Sequence, residues 1–278
     1  MLITNGQITD THLAIIKPSN AALTHGHSIL EDMRIMGGQI LFWEAHYLKI
    51  MASMRMLRIA IPMDFTPEKL SALILSALSE SSELEADALV RFQVYPHSEN
   101  FLETNYHISL MPLANKSLYN TDNQPFEMGL YKDYYLGLNG LSSLATSNQL
   151  IPSLASIFAF ENDFHACFLL NTNKEVIGTN KGTLYMLIDQ EVHTADLNAG
   201  AKNTVFRKVL NTAIEKDTQY TLNTSAISPF SLQKAKALCI VNPSDGVIQV
   251  TKYRKKTYED ANFGLYFKEL LLKASQEN

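Results

Sequence analysis

The chain has 278 residues, of which 46% are hydrophobic and 18% are charged. This is an ordinary globular composition, with enough apolar material for one large domain or two medium ones. The formal net charge of −5 argues against a nucleic-acid-binding role, because that role needs a concentrated positive field. The one basic run, at residues 252–256, is interpreted as a solvated strand end or loop.

The sequence carries no signal for secretion or membrane insertion. Its start has no basic stretch followed by an apolar core, and no apolar run approaches the roughly 20 residues of a membrane span. The two cysteines, Cys167 and Cys239, lie in apolar runs and are expected to be buried free thiols. We therefore expect a soluble, cytoplasmic protein without a membrane partner.

The first part of the chain has the pattern of a small α+β domain. Gly37 and Gly38 predict the turn of a hairpin within residues 34–42. Thr66 followed by Pro67 predicts a helix start, because a hydroxyl cap and a proline at the first helical position both favour one. The remaining predicted elements are helices over residues 44–59 and 70–78 and strands over residues 88–95 and 106–113.

The polar segment 114–124 is rich in turn-forming residues and predicts a domain boundary, which we place between residues 118 and 119. Residues 119–278 then form a larger α/β domain. Its predicted strands cover residues 127–131, 166–171, 183–188, 220–223 and 237–241. Its predicted helices cover residues 149–161, 203–215, 231–235 and 262–274.

A series of short motifs runs through the chain in a fixed order. It opens with Gly26, Glu31 and Arg34, in a pattern similar to aromatic-Gly-Asp-Gly-x-aromatic-Glu-Thr-x-Arg. The later motifs lie at residues 37–42, 44–49, 143–148, 169–171, 176–178, 184–186 and 200–207. In this order they resemble the fold-type IV pyridoxal-phosphate family, which includes branched-chain aminotransferases and aminodeoxychorismate lyases. The resemblance implies a two-domain α/β (α+β) architecture and a homodimer.

The departures from the family pattern concern the residues that carry its chemistry. The resemblance places the Schiff-base lysine at Ala145, where a methyl group supplies neither a nucleophile nor a titratable proton. It places the acid that pairs with the pyridine nitrogen at Gly178. On these residues we expect no catalytic lysine and no bound cofactor, although the family implies pyridoxal phosphate.

The resemblance also locates the residues that would contact the cofactor phosphate. The family arginine is here Lys49, which keeps the charge but loses the paired donors. Thr204 and Val205 replace the Gly-Ile of the phosphate loop, and their amides would lie at a helix N-terminus that favours anions. The second phosphate loop falls at a proline, with Ser244 beside it as a partial substitute.

Other lysines and two arginines are candidates for roles in the same site. Lys181 is the first candidate for a substitute lysine, and Lys202 and Lys132 are further ones; a surface position is favoured for each. Arg34 and Arg91 lie on predicted strands and are candidates for binding a substrate carboxylate through paired donors.

His25 and His27 would share one face of a strand, which is a pattern that can hold a metal ion. The pattern favours no metal, because these residues take the places of other residues in the family motif. Three hypotheses remain open at this point. The chain is a non-catalytic homologue that binds a small anionic or amino-acid-like ligand or a protein partner, an active aminotransferase or lyase using another lysine, or an enzyme of a different class that reuses the cleft.

Overall fold

The computed structural model describes residues 1–9, 17–81, 84–97, 100, 102–113, 115–119 and 125–277. The predicted boundary segment at residues 114–124 therefore lies in large part outside the described residues. The chain forms two compact units. Unit 1 comprises Met1–Lys116 and Ala145–Asn148, and unit 2 comprises Ser117–Leu144 and Gln149–Asn278.

Unit 1 is built on one six-stranded antiparallel sheet with the strand order β2-β1-β6-β5-β3-β4. Its strands are β1 (Leu2–Thr4), β2 (Gln7–Thr9), β3 (Ile29–Met36), β4 (Gln39–Ile40), β5 (Ala88–Pro96) and β6 (Thr104–Met111). Its helices are α1 (Ala21–His25), α2 (Trp43–Met56) and α3 (Pro67–Glu80). Alternate residues of β3, β5 and β6 point into a core that the apolar faces of α2 and α3 complete.

The predicted start of α3 is confirmed in detail. The Thr66 side-chain oxygen accepts a 3.2 Å hydrogen bond from the Lys69 amide, and Pro67 occupies the first helical position. The predicted helix over residues 44–59 runs three residues too far. Helix α2 ends at Met56 because Arg58 takes a left-handed backbone conformation, with φ of +54°.

Unit 2 contains two five-stranded sheets, with the orders β12-β11-β10-β13-β14 and β16-β15-β7-β8-β9. The strands are β7 (Glu127–Leu130), β8 (Ala166–Leu170), β9 (Val176–Thr179), β10 (Thr183–Ile188), β11 (Glu191–Ala195), β12 (Thr221–Ser225), β13 (Ala237–Asn242), β14 (Gly246–Val250), β15 (Lys252–Tyr253) and β16 (Lys256–Thr257). The helices are α4 (Leu150–Glu161), α5 (Val205–Lys216), α6 (Ser231–Lys234) and α7 (Asn262–Gln276), with a short 3-10 helix at Leu197–Ala199.

The two sheets of unit 2 share one core. Met128 and Phe168 from one sheet meet Leu184 and Leu238 from the other in a single buried cluster. Both cysteines are buried and free, as predicted. The mixed α and β architecture expected from the sequence is confirmed. No helix among the described residues is both long and apolar enough to span a membrane.

Candidate functional site

Ala145, the residue at the predicted lysine position, lies in a segment that packs into unit 1. The Ala145 carbonyl oxygen accepts a 3.0 Å hydrogen bond from the Leu30 amide, and the Ser147 amide donates to the Ser28 carbonyl oxygen at 3.3 Å. These bonds add residues 145–148 to the edge of β3. The position is therefore held by main-chain hydrogen bonds, and it carries a methyl group with no amine.

Three hydrogen bonds in unit 2 fix the residues that precede Ala145. The Lys202 ammonium donates to the carbonyl oxygens of Ser142 at 3.0 Å and Leu144 at 2.7 Å. The adjacent Asn203 amide donates to the Ser143 carbonyl oxygen at 2.9 Å. Hydrogen bonds thus join residues 202–203, in the loop before α5, to residues 142–144. Sequence reasoning placed Lys202 at the surface, whereas its side chain is half-buried in this contact.

Thr204 and Val205 form the N-terminus of α5. The Thr204 hydroxyl oxygen accepts from the Arg207 amide at 3.2 Å, so Thr204 is the N-cap and Val205 is the first helical residue. The Thr183 hydroxyl at the start of β10 lies 3.3 Å from that of Thr204. The first amides of α5 point towards this end, where the helix dipole favours an anion.

Gly178 is the third residue of β9 and has no side chain that could contact a ligand. Its φ of +146° is a conformation that L side chains rarely adopt. The turn that follows is held by the Thr179 hydroxyl, which accepts from the Gly182 amide at 2.9 Å. A Cβ at Gly182 would lie 2.5 Å from the Val241 carbonyl oxygen, so this position requires glycine. No carboxylate is present at the Gly178 position.

Ser244 lies half-buried in the turn between β13 and β14. Asn242 and Asp245 shape that turn: the Asp245 amide donates to the Asn242 side chain at 2.7 Å, and the Asn242 amide group donates back at 3.0 Å. The phosphate role of Ser244 stays a prediction.

Lys49, the predicted phosphate ligand, is paired with Glu31 in unit 1, and its phosphate role stays a prediction. The Lys49 ammonium contacts one Glu31 carboxylate oxygen, and His46 Nδ1 lies 2.6 Å from the other. Burial by itself raises the pKa of Glu31, but the Lys49 charge and the His46 contact outweigh it and hold that pKa below its usual value. His46 Nε2 is buried without a hydrogen-bond partner among the described residues. Sequence reasoning missed this buried cluster, although Glu31 and His46 both belong to the recognised motifs.

Arg34 and Arg91 lie on the adjacent strands β3 and β5, but each guanidinium already has partners within unit 1. Arg34 is fully buried and donates to the main-chain carbonyls of Asn115 and Lys116 at 2.8 and 2.7 Å. Arg91 is partly exposed and forms a two-pronged ion pair with Asp32 across the sheet, at 2.7 and 2.8 Å. Their proposed role towards a substrate stays a prediction.

Lys181 and Lys132 are both exposed. The Lys181 ammonium lies over the Phe126 ring, 5.8 Å from its centre, which is a cation–π contact at the surface. Neither lysine has the buried surroundings expected of an amine used as a nucleophile.

The strand geometry expected for His25 and His27 is wrong. His25 ends helix α1, Gly26 caps that helix with φ of +64°, and His27 lies between the helix and β3. The His27 ring instead contacts the Leu57 carbonyl oxygen through Nε2 at 2.8 Å. In the part of the chain that the structure describes, no three His, Cys, Asp or Glu side chains converge as metal ligands do.

Comparison with known families settles the relationship. The sequence model described as amino-transferase class IV matches residues 28–253. The chain belongs to the class IV aminotransferase family. Among curated proteins, no significant match to this family member was found.

Solved structures share the fold of this class IV aminotransferase family member at low sequence identity. A branched-chain aminotransferase from Thermoproteus uzoniensis has 13% identity and a TM-score of 0.84 over 100% of this chain and 95% of its own. A proposed 4-amino-4-deoxychorismate lyase from Legionella pneumophila has 13% identity and a TM-score of 0.84, with 96% and 98% covered. A branched-chain aminotransferase from Thermobaculum terrenum in its pyridoxal-phosphate form has 13% identity and a TM-score of 0.82, with 100% and 94% covered. The predicted fold-type IV architecture is confirmed.

The residues of this chain do not fit a covalently held pyridoxal phosphate. Ala145 has no amine, Gly178 has no carboxylate, and the ammonium of Lys49 forms an ion pair with Glu31. Lys202 comes near the lysine position but donates to two main-chain carbonyls. The N-terminus of α5 has the features expected of a site for an anion.

Proposed function

We propose that this class IV aminotransferase family member does not perform the covalent pyridoxal-phosphate chemistry of its family and instead binds a small anion non-covalently. The observation that carries the proposal is the methyl side chain of Ala145, a residue whose carbonyl oxygen accepts a hydrogen bond from the Leu30 amide. Catalysis of this type needs a titratable amine at the site. The exposed positions of Lys181 and Lys132 support the proposal, because neither offers a buried replacement.

The test is the absorbance spectrum of the purified protein after incubation with pyridoxal phosphate, followed by borohydride reduction and measurement of the intact mass. We expect no stable added mass on the wild-type chain. Ala145→Lys is the control variant, since it returns an amine to the predicted position. A single cofactor mass on one lysine of the wild-type protein would contradict the proposal.

A second candidate function follows from Lys202, the lysine whose ammonium lies 2.7 Å from the carbonyl oxygen of Leu144. In this alternative, the chain is an active aminotransferase or lyase that uses Lys202. Peptide mapping after reduction distinguishes the two candidates. Added mass confined to Lys202, and absent from Lys202→Met, would favour the alternative.

The proposed anion lies at the N-terminus of α5. Val205→Pro is a specific test, because proline is accepted at the first helical position but removes one amide donor. The extended backbone of Thr204, with ψ of 153°, is compatible with a following proline. Calorimetric titration with inorganic phosphate should show weaker binding to this variant. Equal binding by the variant and the wild type would place the anion elsewhere.

The same proposal includes a homodimer in a reducing, cytoplasmic compartment. The dimer is carried over from the family resemblance. The compartment is supported by Cys167 and Cys239, which are buried and unpaired by disulfide. Sedimentation measurements on the purified chain test the dimer directly.

A further inference from the structure

Positive charge is concentrated on the hairpin that β15 and β16 form in unit 2. Four of the five residues 252–256 are basic, and none of them is acidic. The pairing of Tyr253 with Lys256 leaves Arg254 and Lys255 as the turn of this hairpin. All four cations are exposed except Lys256, which is half-buried. The charges therefore lie on both strands and on the turn between them.

A fifth cation lies at the base of the hairpin. The exposed Lys181 ammonium is 5.8 Å from the centre of the Phe126 ring. The Phe126 amide in turn donates a 2.7 Å hydrogen bond to the hydroxyl oxygen of Thr251, the residue immediately before β15. We call these five cations the basic surface: Lys181, Lys252, Arg254, Lys255 and Lys256.

The chain itself neutralises little of the basic surface. Glu127 pairs with Lys252 at 2.9 Å. Among the residues that the structure describes, no carboxylate lies within ion-pair distance of the other four cations. Arg254 and Lys256 lie over neighbouring tyrosine rings, which attract a cation without cancelling its charge.

The charge of the basic surface is opposite in sign to that of the whole chain. With Glu127 and the sequence neighbour Glu259 counted, the region carries a net charge of +3. The formal net charge of the chain is −5, so the remaining residues together carry −8. A local field of opposite sign steers an acidic partner to this one region and keeps it away from the rest of the molecule.

Lysine on an edge strand also has a protective use, because it discourages pairing with other chains. Strand β16 stands at one end of its sheet, and Lys256 meets that need. The turn residues Arg254 and Lys255 and the more distant Lys181 lie outside β16. Protection of the edge therefore does not account for the rest of the basic surface.

We propose that the basic surface binds an acidic segment of a partner protein. Arg254 supplies a planar fork of donors that matches a carboxylate, and the lysines around it supply point charges. Clusters of this kind recognise acidic protein motifs. The proposal is independent of the function proposed above, because none of its residues belongs to the N-terminus of α5.

Two other anionic partners fit the basic surface less well. Single-stranded nucleic acid needs exposed rings on which its bases stack, whereas Tyr253 and Tyr258 are buried. The ring of Phe126 lies under the Lys181 ammonium. A long polyanion or an anionic membrane would also meet the charge of −8 on the remaining chain. A short acidic segment avoids both difficulties.

The test uses the backbone conformation of Arg254, whose φ of +55° lies in the left-handed region. Glycine adopts this conformation without steric cost, so Arg254→Gly removes the charge and keeps the turn. Lys174→Gly is the matched control, because Lys174 is exposed in the turn between β8 and β9 with φ of +63°. Each variant loses one positive charge at a left-handed position of unit 2, and only Arg254 belongs to the basic surface.

The probe is a fluorescein-labelled octaglutamate peptide, titrated with the purified chain at low salt and followed by fluorescence anisotropy. The wild type should bind it, and added salt should weaken the binding, because the cations are exposed. Arg254→Gly should weaken binding about fivefold, the effect of one exposed ion pair, and Lys255→Glu should weaken it about tenfold. Lys174→Gly should bind like the wild type. Circular dichroism checks that all three variants fold.

Four results would overturn the proposal. The first is a wild type that does not bind octaglutamate. The second is equal weakening by Arg254→Gly and Lys174→Gly, since binding would then follow net charge and not the basic surface. Tighter binding of labelled octathymidylate, lost in Arg254→Gly, would assign the basic surface to nucleic acid. Co-sedimentation with phosphatidylserine vesicles that octaglutamate does not displace, lost in the same variant, would assign it to a membrane.

Discussion

The ammonium of Lys202 donates a 2.7 Å hydrogen bond to the carbonyl oxygen of Leu144, the residue that immediately precedes Ala145. The same ammonium reaches the carbonyl oxygen of Ser142 at 3.0 Å. Lys202, in the loop before α5, therefore holds the segment that immediately precedes Ala145, the residue at the family lysine position. In this arrangement its donors are used by the backbone, which favours a structural role for Lys202 over a nucleophilic one.

Lys202→Met should destabilise the fold. The substitution keeps an apolar stem of similar length but leaves two carbonyl oxygens without their charged donor. Hydrogen bonds to charged groups contribute more than neutral ones, so we expect a loss of about 2–3 kcal/mol in the free energy of unfolding by urea. Lys181→Met is the matched control, because Lys181 is exposed and its ammonium lies over the Phe126 ring face, and it should unfold like the wild type. Equal stability of the two variants would contradict the structural role of Lys202.

The Lys202 contact also shows which features could not be predicted from the sequence. Local signals were sufficient for Thr66 and Pro67, because capping depends on neighbouring residues only. The Lys202 contacts join residues 58 and 60 positions apart, and no local pattern predicts such a pair. The pairing of Lys49 with Glu31 likewise joins residues 18 positions apart, and no local pattern predicts it. The strand Glu191–Ala195 was not predicted either, because its polar residues hide the alternation that marks a strand.

Glu31→Gln should destabilise the protein and change its pH dependence. Removing the carboxylate leaves the Lys49 charge without its partner at a site where only a small part of that side chain is exposed. Breaking such a pair costs about 3–5 kcal/mol. Because folding lowers the pKa of Glu31, its contribution is present above the usual value of 4.5 and is lost as the pH falls through the lower folded value.

Urea unfolding between pH 3 and pH 7 measures both effects. The wild type should lose stability towards the acid end, and Glu31→Gln should lose less over the same range. Asp64→Asn is the control, since the Asp64–Lys69 pair is exposed and screened by solvent. It should leave the stability at neutral pH unchanged. A Glu31→Gln variant as stable as the wild type would show that the buried cluster does not stabilise unit 1.

Arg34 and Arg91 should respond differently to truncation. Arg34→Leu removes a fully buried guanidinium that donates to two carbonyls, and we expect a loss of about 3 kcal/mol or more. Arg91→Leu breaks a partly exposed pair with Asp32 and should cost about 1 kcal/mol or less. Thermal and urea unfolding of both variants check this order. The reverse order would mean that the carbonyl contacts of Arg34 contribute little to the fold.

Gly182→Ala should disrupt the turn between β9 and β10. A Cβ at this position would lie 2.5 Å from the Val241 carbonyl oxygen, and that oxygen belongs to the β10–β13 pairing, where Thr183 faces Val241. The clash is with a main-chain atom of a paired strand, which has little room to move. We therefore expect a loss of about 2–3 kcal/mol in the free energy of unfolding. Gly137→Ala is the matched control, because nothing lies within 4 Å of its added Cβ and its φ is not in the left-handed region. Urea unfolding should separate the two variants, and hydrogen exchange should be faster at the ends of β10 and β13 in Gly182→Ala alone. Equal stability of both variants would mean that β10 and β13 can move apart at this point. The short distance between a Cβ at residue 182 and the Val241 carbonyl oxygen would then not explain the glycine.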